Sequence, residues 1–165
     1  TQHGSYSFIY NKETGFISYE EVNHYGFFYS GERMAYGDRK TENEEIKYLC
    51  YPIHILVKLD LFLQSMKKFY SILGYWGFIE IKIVLNNISD VSFTDLPAPR
   101  GKYKLGNILK TPIDNNLIIS KEVLFKELSE KRTELVISVF TELAWALGFP
   151  WIDEAKIREL FEKGW

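Results

Sequence analysis

The stretch that decides the fold covers residues 53–85 and reads IHILVKLDLFLQSMKKFYSILGYWGFIEIKIVL. Up to residue 73, apolar residues recur every three or four positions, which predicts an amphipathic helix over 53–73. The predicted apolar stripe of this helix is Ile55, Leu59, Phe62, Met66, Phe69 and Leu73. After Gly74 the apolar period becomes two, which predicts a strand over 77–86. A helix beside such a strand indicates an α-on-β layer and therefore a globular domain.

The segments around this stretch complete the predicted fold. Short alternating runs between residues 5 and 40, separated by turn residues, favour antiparallel strands. A capping-box pattern at 41–44 predicts a helix from about Glu42, and periodicity predicts another helix over 129–147. The fold class is therefore α+β, with an antiparallel sheet packed on one face by two or three helices. The predicted core is Phe8, Phe27, Leu59, Phe62, Met66, Phe69, Ile79, Ile81, Ile83, Leu143 and Trp145.

Length and composition indicate one domain over 1–165, because 165 residues can bury a full core without disulfides. The chain begins at Thr1, and we interpret it as a fragment of a larger protein. A net charge of −2 with mixed signs gives no basic arm, so it does not favour nucleic-acid binding. The single cysteine, Cys50, favours a reducing, cytoplasmic setting, and no apolar run is long enough to predict a membrane span.

The chemically most suggestive pattern is Glu80 and Lys82, two residues apart on one face of the predicted strand. An acid and a lysine at this spacing form half of a divalent-metal nuclease signature, in which the carboxylate holds Mg²⁺ and the lysine steadies the water or phosphate. Asp38, at a strand end, is the only upstream acid that could complete the set. Catalytic roles for Asp38, Glu80 and Lys82 are therefore an alternative to a solvated polar pair.

Three further sets of residues have no catalytic pattern. Arg100, Lys102 and Lys104 form a small basic loop that could bind nucleic acid, or could simply be solvated. The aromatic residues Tyr75, Trp76 and Trp165 are candidates for a partner-facing surface. The three histidines and one cysteine are scattered, so we predict no metal site and no cofactor.

Four short motifs resemble the region downstream of the DNA-binding domain in bacterial Schlafen/AlbA-like proteins. They are the segments 4–6, 19–26, 74–78 and 146–149, which read GSY, YEEVNHYG, GYWGF and ALGF. The resemblance spans most of the chain and rests on turn glycines and aromatic residues. It implies a companion domain of a transcription regulator or phage-defence protein. The family's acidic segment and glycine-rich strand pair are not found, so no functional residue is carried over.

The leading functional hypothesis is a non-catalytic sensing, docking or regulatory domain of an intracellular bacterial protein. Its partner would be another protein, an attached domain of the same chain or a second copy of the chain. A metal-dependent nuclease using Glu80 and Lys82 is one alternative, and nucleic-acid binding through residues 100–104 is another. An enzyme activity is less expected than binding, because no convergent catalytic set can be recognised.

Overall fold

The computed structural model of this protein describes residues 4–13, 16–23, 25–40, 45–96, 108–113 and 115–163. The chain divides into two compact units, Thr1–Met34 and Ala35–Trp165. The first unit consists of strands, whereas the second contains strands and helices. The sequence predicts one domain, and joint folding of the two units stays a prediction.

The first unit is a three-stranded antiparallel meander. Strands β1 (Gly4–Asn11), β2 (Phe16–Asn23) and β3 (Phe28–Glu32) pair in chain order. The second turn is stabilised by Asn23, whose side-chain oxygen accepts the backbone N–H groups of Tyr25 and Phe27 at 3.0 and 3.1 Å. Gly26 supplies the positive φ of 79° that this turn requires.

Two sheets are present among the described residues of the second unit. Strands β4 (Ala35–Lys40), β5 (Glu45–Cys50), β7 (Val91–Thr94) and β8 (Ile108–Lys110) form one of them in that order. Strands β6 (Phe78–Leu85) and β9 (Leu117–Leu124) form the other, an antiparallel pair. All pairs in the unit are antiparallel except β5 with β7, which are joined through a helical crossover.

Four helices in the described part of the chain complete the α+β fold, so the predicted class is confirmed. They are α1 (Pro52–Ile72), α2 (Phe125–Glu130), α3 (Arg132–Ala146) and α4 (Glu154–Lys163). The first matches the helix predicted over 53–73. The helix predicted over 129–147 is instead interrupted at Lys131, whose φ of −128° and ψ of 34° are not helical. None of the helices in the described parts of the chain is long and apolar enough to cross a membrane.

The helix predicted from Glu42 is wrong, because Glu45–Cys50 is strand β5. Backbone N–H and C=O groups of β5 form hydrogen bonds with β4 on one side and with β7 on the other. The capping-box residues 41–44 lie outside the described residues. Pro52 occupies the start of α1 rather than ending an earlier helix, a position where its missing N–H costs nothing.

The core of the second unit lies around α3, which packs against α1, α2, α4 and β9. The prediction is confirmed for Leu59, Met66, Ile79, Ile81 and Leu143, which are buried. Phe62, Phe69 and Ile83 are only half-buried. The buried stripe of α1 is displaced around the helix from the predicted one and consists of Ile55, Leu56, Leu59, Leu63, Met66 and Tyr70.

Three residues predicted for the core, Phe8, Phe27 and Trp145, are exposed. Alternation along a strand predicts which residues share a face, but not whether another layer covers that face. Trp145 is exposed because the buried residues of α3 lie on the other sides of that helix. The indole N–H of Trp145 donates to the carbonyl oxygen of Ile152 at 2.8 Å. This hydrogen bond satisfies the polar N–H group of the tryptophan while part of its apolar ring stays exposed.

Candidate functional site

A tight turn between α1 and β6 carries the most exposed tryptophan of the described residues. Helix α1 ends at Ile72, and Gly74 follows its C-cap residue Leu73 with a φ of 65°, which is unfavourable for residues with a side chain. The backbone N–H of Tyr75 donates to the carbonyl oxygen of Tyr70 at 3.0 Å, which closes the end of the helix. The chain then reverses within three residues and enters β6 at Phe78.

Tyr75 anchors this turn. Its ring lies 5.3 Å from the ring of Tyr70 and 6.4 Å from the ring of Phe125, measured between centroids. Its hydroxyl donates to the carbonyl oxygen of Phe78 at 2.5 Å. A Cβ at Gly77 would lie 2.6 Å from that hydroxyl, so glycine leaves room for the Tyr75 side chain. The backbone on both sides of Trp76 is thus held in place.

Trp76 projects from this anchored turn with 86% of its surface exposed. Its apolar neighbours along the chain, Ile72, Leu73 and Phe78, are also exposed, and Leu124 lies directly opposite Phe78 in the sheet. We call these five residues the Trp76 surface. Several large apolar side chains exposed at one end of a unit are typical of a protein interaction site.

Positive charge adjoins the α1 side of the Trp76 surface, whereas Glu80 and Glu122 lie beside Phe78 and Leu124 on the exposed face of the β6–β9 sheet. Residues 61–79 contain Lys67 and Lys68 but no acidic residue. Both lysines line a shallow depression that also includes Ile72 of the Trp76 surface. Two cations of this depression already have protein partners, because Lys67 donates to the Ser129 carbonyl oxygen and Arg132 forms an ion pair with Asp60. Lys68 extends the basic character into the solvent-exposed part of α1.

Two of the three partner-surface candidates from the sequence, Tyr75 and Trp76, lie in this turn, and their role in partner binding stays a prediction. Tyr75 anchors the turn and Trp76 is its exposed tip, whereas the third candidate, Trp165, lies outside the described residues. Sequence reasoning missed Ile72, Leu73, Phe78 and Leu124. Leu73 ends the predicted apolar stripe of α1, where periodicity suggests burial, and Leu124 lies beside Phe78 only because β9 pairs with β6.

The nuclease alternative depends on Glu80, Lys82 and Asp38. Glu80 and Lys82 lie on the exposed face of β6, and Glu80 accepts a hydrogen bond from the Ser120 hydroxyl at 2.7 Å. The residue opposite Glu80 is Glu122 on β9. The backbone of Asp38 belongs to β4, which lies in a different sheet from β6. The side chain of Asp38 is not among the parts of the chain that the structure describes.

Among the described residues, no group of three or more acidic, histidine or cysteine side chains could hold a metal ion. The catalytic roles of Asp38, Glu80 and Lys82 stay a prediction. The loop candidates Arg100, Lys102 and Lys104 fall outside the described residues, and nucleic-acid binding through them stays a prediction as well.

The facing carboxylates of Glu80 and Glu122 allow a test of this exposed sheet. Like charges directly opposite each other destabilise an antiparallel pair. We expect Glu122→Lys to raise the free energy of unfolding by about 0.5 kcal/mol, because it replaces repulsion by attraction. Urea denaturation at low salt measures the change. Glu127→Lys, an exposed charge reversal in the first turn of α2, is the control and should lower the free energy of unfolding instead, because it places a positive charge at a helix N-terminus; a gain in stability for both variants would contradict the pairing of β6 with β9.

Cys50 is the remaining residue with reactive potential. It is buried, and desolvation raises the pKa of its thiol to about 12. A thiol with this pKa is almost entirely protonated at neutral pH, whereas the thiolate is the nucleophile. Cys50 is therefore a packing residue of β5, as its apolar sequence neighbours indicate.

Comparison with known proteins finds no match to a protein family, a curated protein or a solved structure.

Proposed function

We propose that this chain is a docking module that binds a protein partner through the Trp76 surface. The observation that supports this proposal best is the exposure of Trp76 on a turn anchored by Tyr75. Tryptophan is enriched among the residues that contribute most binding energy at protein interfaces. A side chain held in place before binding loses less conformational entropy on association, so the anchored turn favours affinity.

The charge beside Trp76 indicates the chemistry of the partner. Lys67 and Lys68 lie on the α1 segment that leads to the turn, without acidic residues between 61 and 79. A complementary partner offers an apolar pocket for the indole ring and acidic residues at the part of the rim that faces α1. Such complementarity increases the association rate and selects against basic partners.

A finer form of the proposal makes the chain the regulatory part of a larger cytoplasmic bacterial protein. It is supported by the resemblance of segments 4–6, 19–26, 74–78 and 146–149 to Schlafen/AlbA-like proteins. The open reading frame that contains this sequence tests it. An AlbA-like segment upstream would support the relationship, and a reading frame without one would remove it while leaving the docking proposal unaffected.

Peptide selection tests the docking proposal. The full chain is used to select peptides from a displayed random library, and the affinities of the selected peptides are measured by calorimetry. We expect acidic peptides with an aromatic or aliphatic anchor. Trp76→Ala should weaken their binding about 30-fold or more, because truncation of a tryptophan hot spot costs about 2 kcal/mol or more.

Trp151→Ala is the matched control, since Trp151 is also an exposed tryptophan of the second unit. It should leave the affinity within about twofold of the unchanged chain. Circular dichroism checks that both variants keep their helix content. Failure to recover acidic peptides whose binding depends on Trp76, or equal losses for the two variants, would contradict the proposal.

A further inference from the structure

The meander of the first unit has two chemically different faces. The register places Tyr6, Phe8 and Tyr10 of β1 opposite Glu21, Tyr19 and Ile17 of β2, all on one face. Tyr29 of β3 pairs with Glu21 and extends the same face. We call this the aromatic sheet face, with the members Tyr6, Phe8, Tyr10, Ile17, Tyr19, Phe27 and Tyr29. The opposite face is rich in polar residues, among them Ser5, Ser7, Ser18, Glu20, Ser30 and Glu32.

Every member of the aromatic sheet face except Tyr19 is exposed, typically by about half of its surface. Because large apolar side chains have about 150–250 Å² each, these six present roughly 600 Å² to solvent. One partner in a stable complex contributes about 800 Å². The face is therefore large enough for a polypeptide and larger than a small ligand needs.

Tyr19 lies at the centre of this face and connects its rings. Its centroid is 6.3 Å from that of Tyr6 and 5.6 Å from that of Tyr29, with interplanar angles of 27° and 56°. The rings do not share one plane, so a flat base or sugar cannot stack on all of them together. A cation contacts one ring face at a time and needs no such platform.

Glu21 adds a negative charge to the face. The Tyr19 hydroxyl donates to its carboxylate, and this hydrogen bond raises the pKa of Tyr19, so the phenol stays neutral. Residues 1–34 contain four acidic residues and only two lysines or arginines. This balance disfavours a phosphate backbone as the partner and favours a basic one. It also disfavours a second copy, which would bring two acidic units together.

We propose that the aromatic sheet face binds an extended, arginine- or lysine-containing peptide segment of a partner. The cations would contact the tyrosine rings and pair with Glu21, while the aliphatic parts of the side chains cover the apolar rings. Tyr6, Phe8 and Tyr10 repeat every second residue, at about 6.8 Å. Alternate residues of an extended peptide have the same repeat, so a basic residue at every second position fits the face best.

Fluorescence anisotropy with the full chain tests this proposal. The probe is a labelled hexapeptide of alternating glycine and arginine, and its control replaces each arginine by citrulline, which is uncharged and nearly isosteric. The arginine peptide should bind at least about tenfold more tightly than the citrulline peptide. A peptide with three consecutive arginines and three glycines, of equal charge, should bind more weakly than the alternating one.

Substitutions separate the two faces of the sheet. Glu21→Gln keeps an acceptor for Tyr19 and should weaken binding about three- to tenfold, whereas Glu20→Gln makes the same charge change on the opposite face and should change it less than about twofold. Tyr6→Leu should weaken binding about three- to fivefold. Circular dichroism confirms that the variants are folded.

Four results would overturn the proposal. These are equal affinity for arginine and citrulline peptides, equal affinity for both arginine spacings, equal losses for Glu20→Gln and Glu21→Gln, and tighter binding of a single-stranded oligonucleotide than of the basic peptide. Sedimentation provides a fifth, because a dimer that Phe8→Ala dissociates would assign this face to self-association. None of these results bears on the Trp76 surface, which is a separate site with its own test.

Discussion

Replacing Phe140 by alanine is expected to lower the free energy of unfolding by about 3–5 kcal/mol. Phe140 lies in the middle of α3 with only 1% of its surface exposed. The substitution removes most of a buried ring and leaves a cavity that a helix packed on several sides cannot close. Urea denaturation followed by far-ultraviolet circular dichroism measures the loss as a lower midpoint at an unchanged slope.

Trp145 on the same helix provides the control for this experiment. It is 56% exposed, although its size and its place in the sequence predicted a core residue. Trp145→Ala removes exposed area and the hydrogen bond to Ile152, for an expected loss of about 1 kcal/mol. A larger loss for Trp145→Ala than for Phe140→Ala would show that α3 presents a different face to the core.

Replacing Leu63 by alanine is expected to cost about 3–5 kcal/mol. Leu63 is fully buried on α1, where it lies on the stripe that faces the core of the second unit. Leucine-to-alanine substitutions at such sites lose the transfer free energy of the side chain and create a cavity. The measurement is again urea denaturation of the full chain.

Leu61→Ala is a closely matched control, because it is the same substitution two residues earlier in the same helix. Leu61 is 51% exposed, and the helix propensity contributions of the two substitutions are equal. We expect a change below about 1 kcal/mol. Similar losses at both positions would indicate that α1 is rotated about its axis relative to the structure described above.

The two proposed surfaces differ in the kind of partner they select. The Trp76 surface combines an anchored aromatic tip with lysines, and it favours an acidic partner. The aromatic sheet face combines several half-exposed rings with Glu21, and it favours a basic partner. Opposite charge preferences allow the two sites to be distinguished by peptide probes in the full chain, without separating the units.

Local patterns were sufficient for the elements that depend on neighbouring residues. The period of 3.6 predicted α1 within one residue of its ends, and the period of two predicted β6. Gly74 follows the predicted helix over 53–73 and Gly148 follows the one over 129–147, and both have positive φ, as glycines at helix C-termini commonly do. Asp153 directly precedes α4, and its side chain accepts the backbone N–H of Lys156 at 2.8 Å, which is the contact that makes aspartate a favoured N-cap residue.

Tertiary structure decided which apolar faces are covered. Phe8 and Phe27 were predicted as core residues because they are large and lie in alternating segments, yet both are exposed on the meander. The apolar surface of α1 is broad enough to contain two adjacent stripes. Packing against α3 buries the stripe that contains Leu56 and Leu63. Periodicity measures the direction of a side chain relative to its own element, not the presence of another element above it.

Long-range pairing explains the other differences between prediction and structure. Residues 45–50 follow a helix-capping pattern, but β4 and β7 supply hydrogen-bond partners that favour a strand. Leu124 joins the Trp76 surface because β9 pairs with β6, which brings it opposite Phe78. Hydrophobic spacing along the chain thus predicted where helices and strands form, whereas contacts between distant segments determined which side chains remain available for binding.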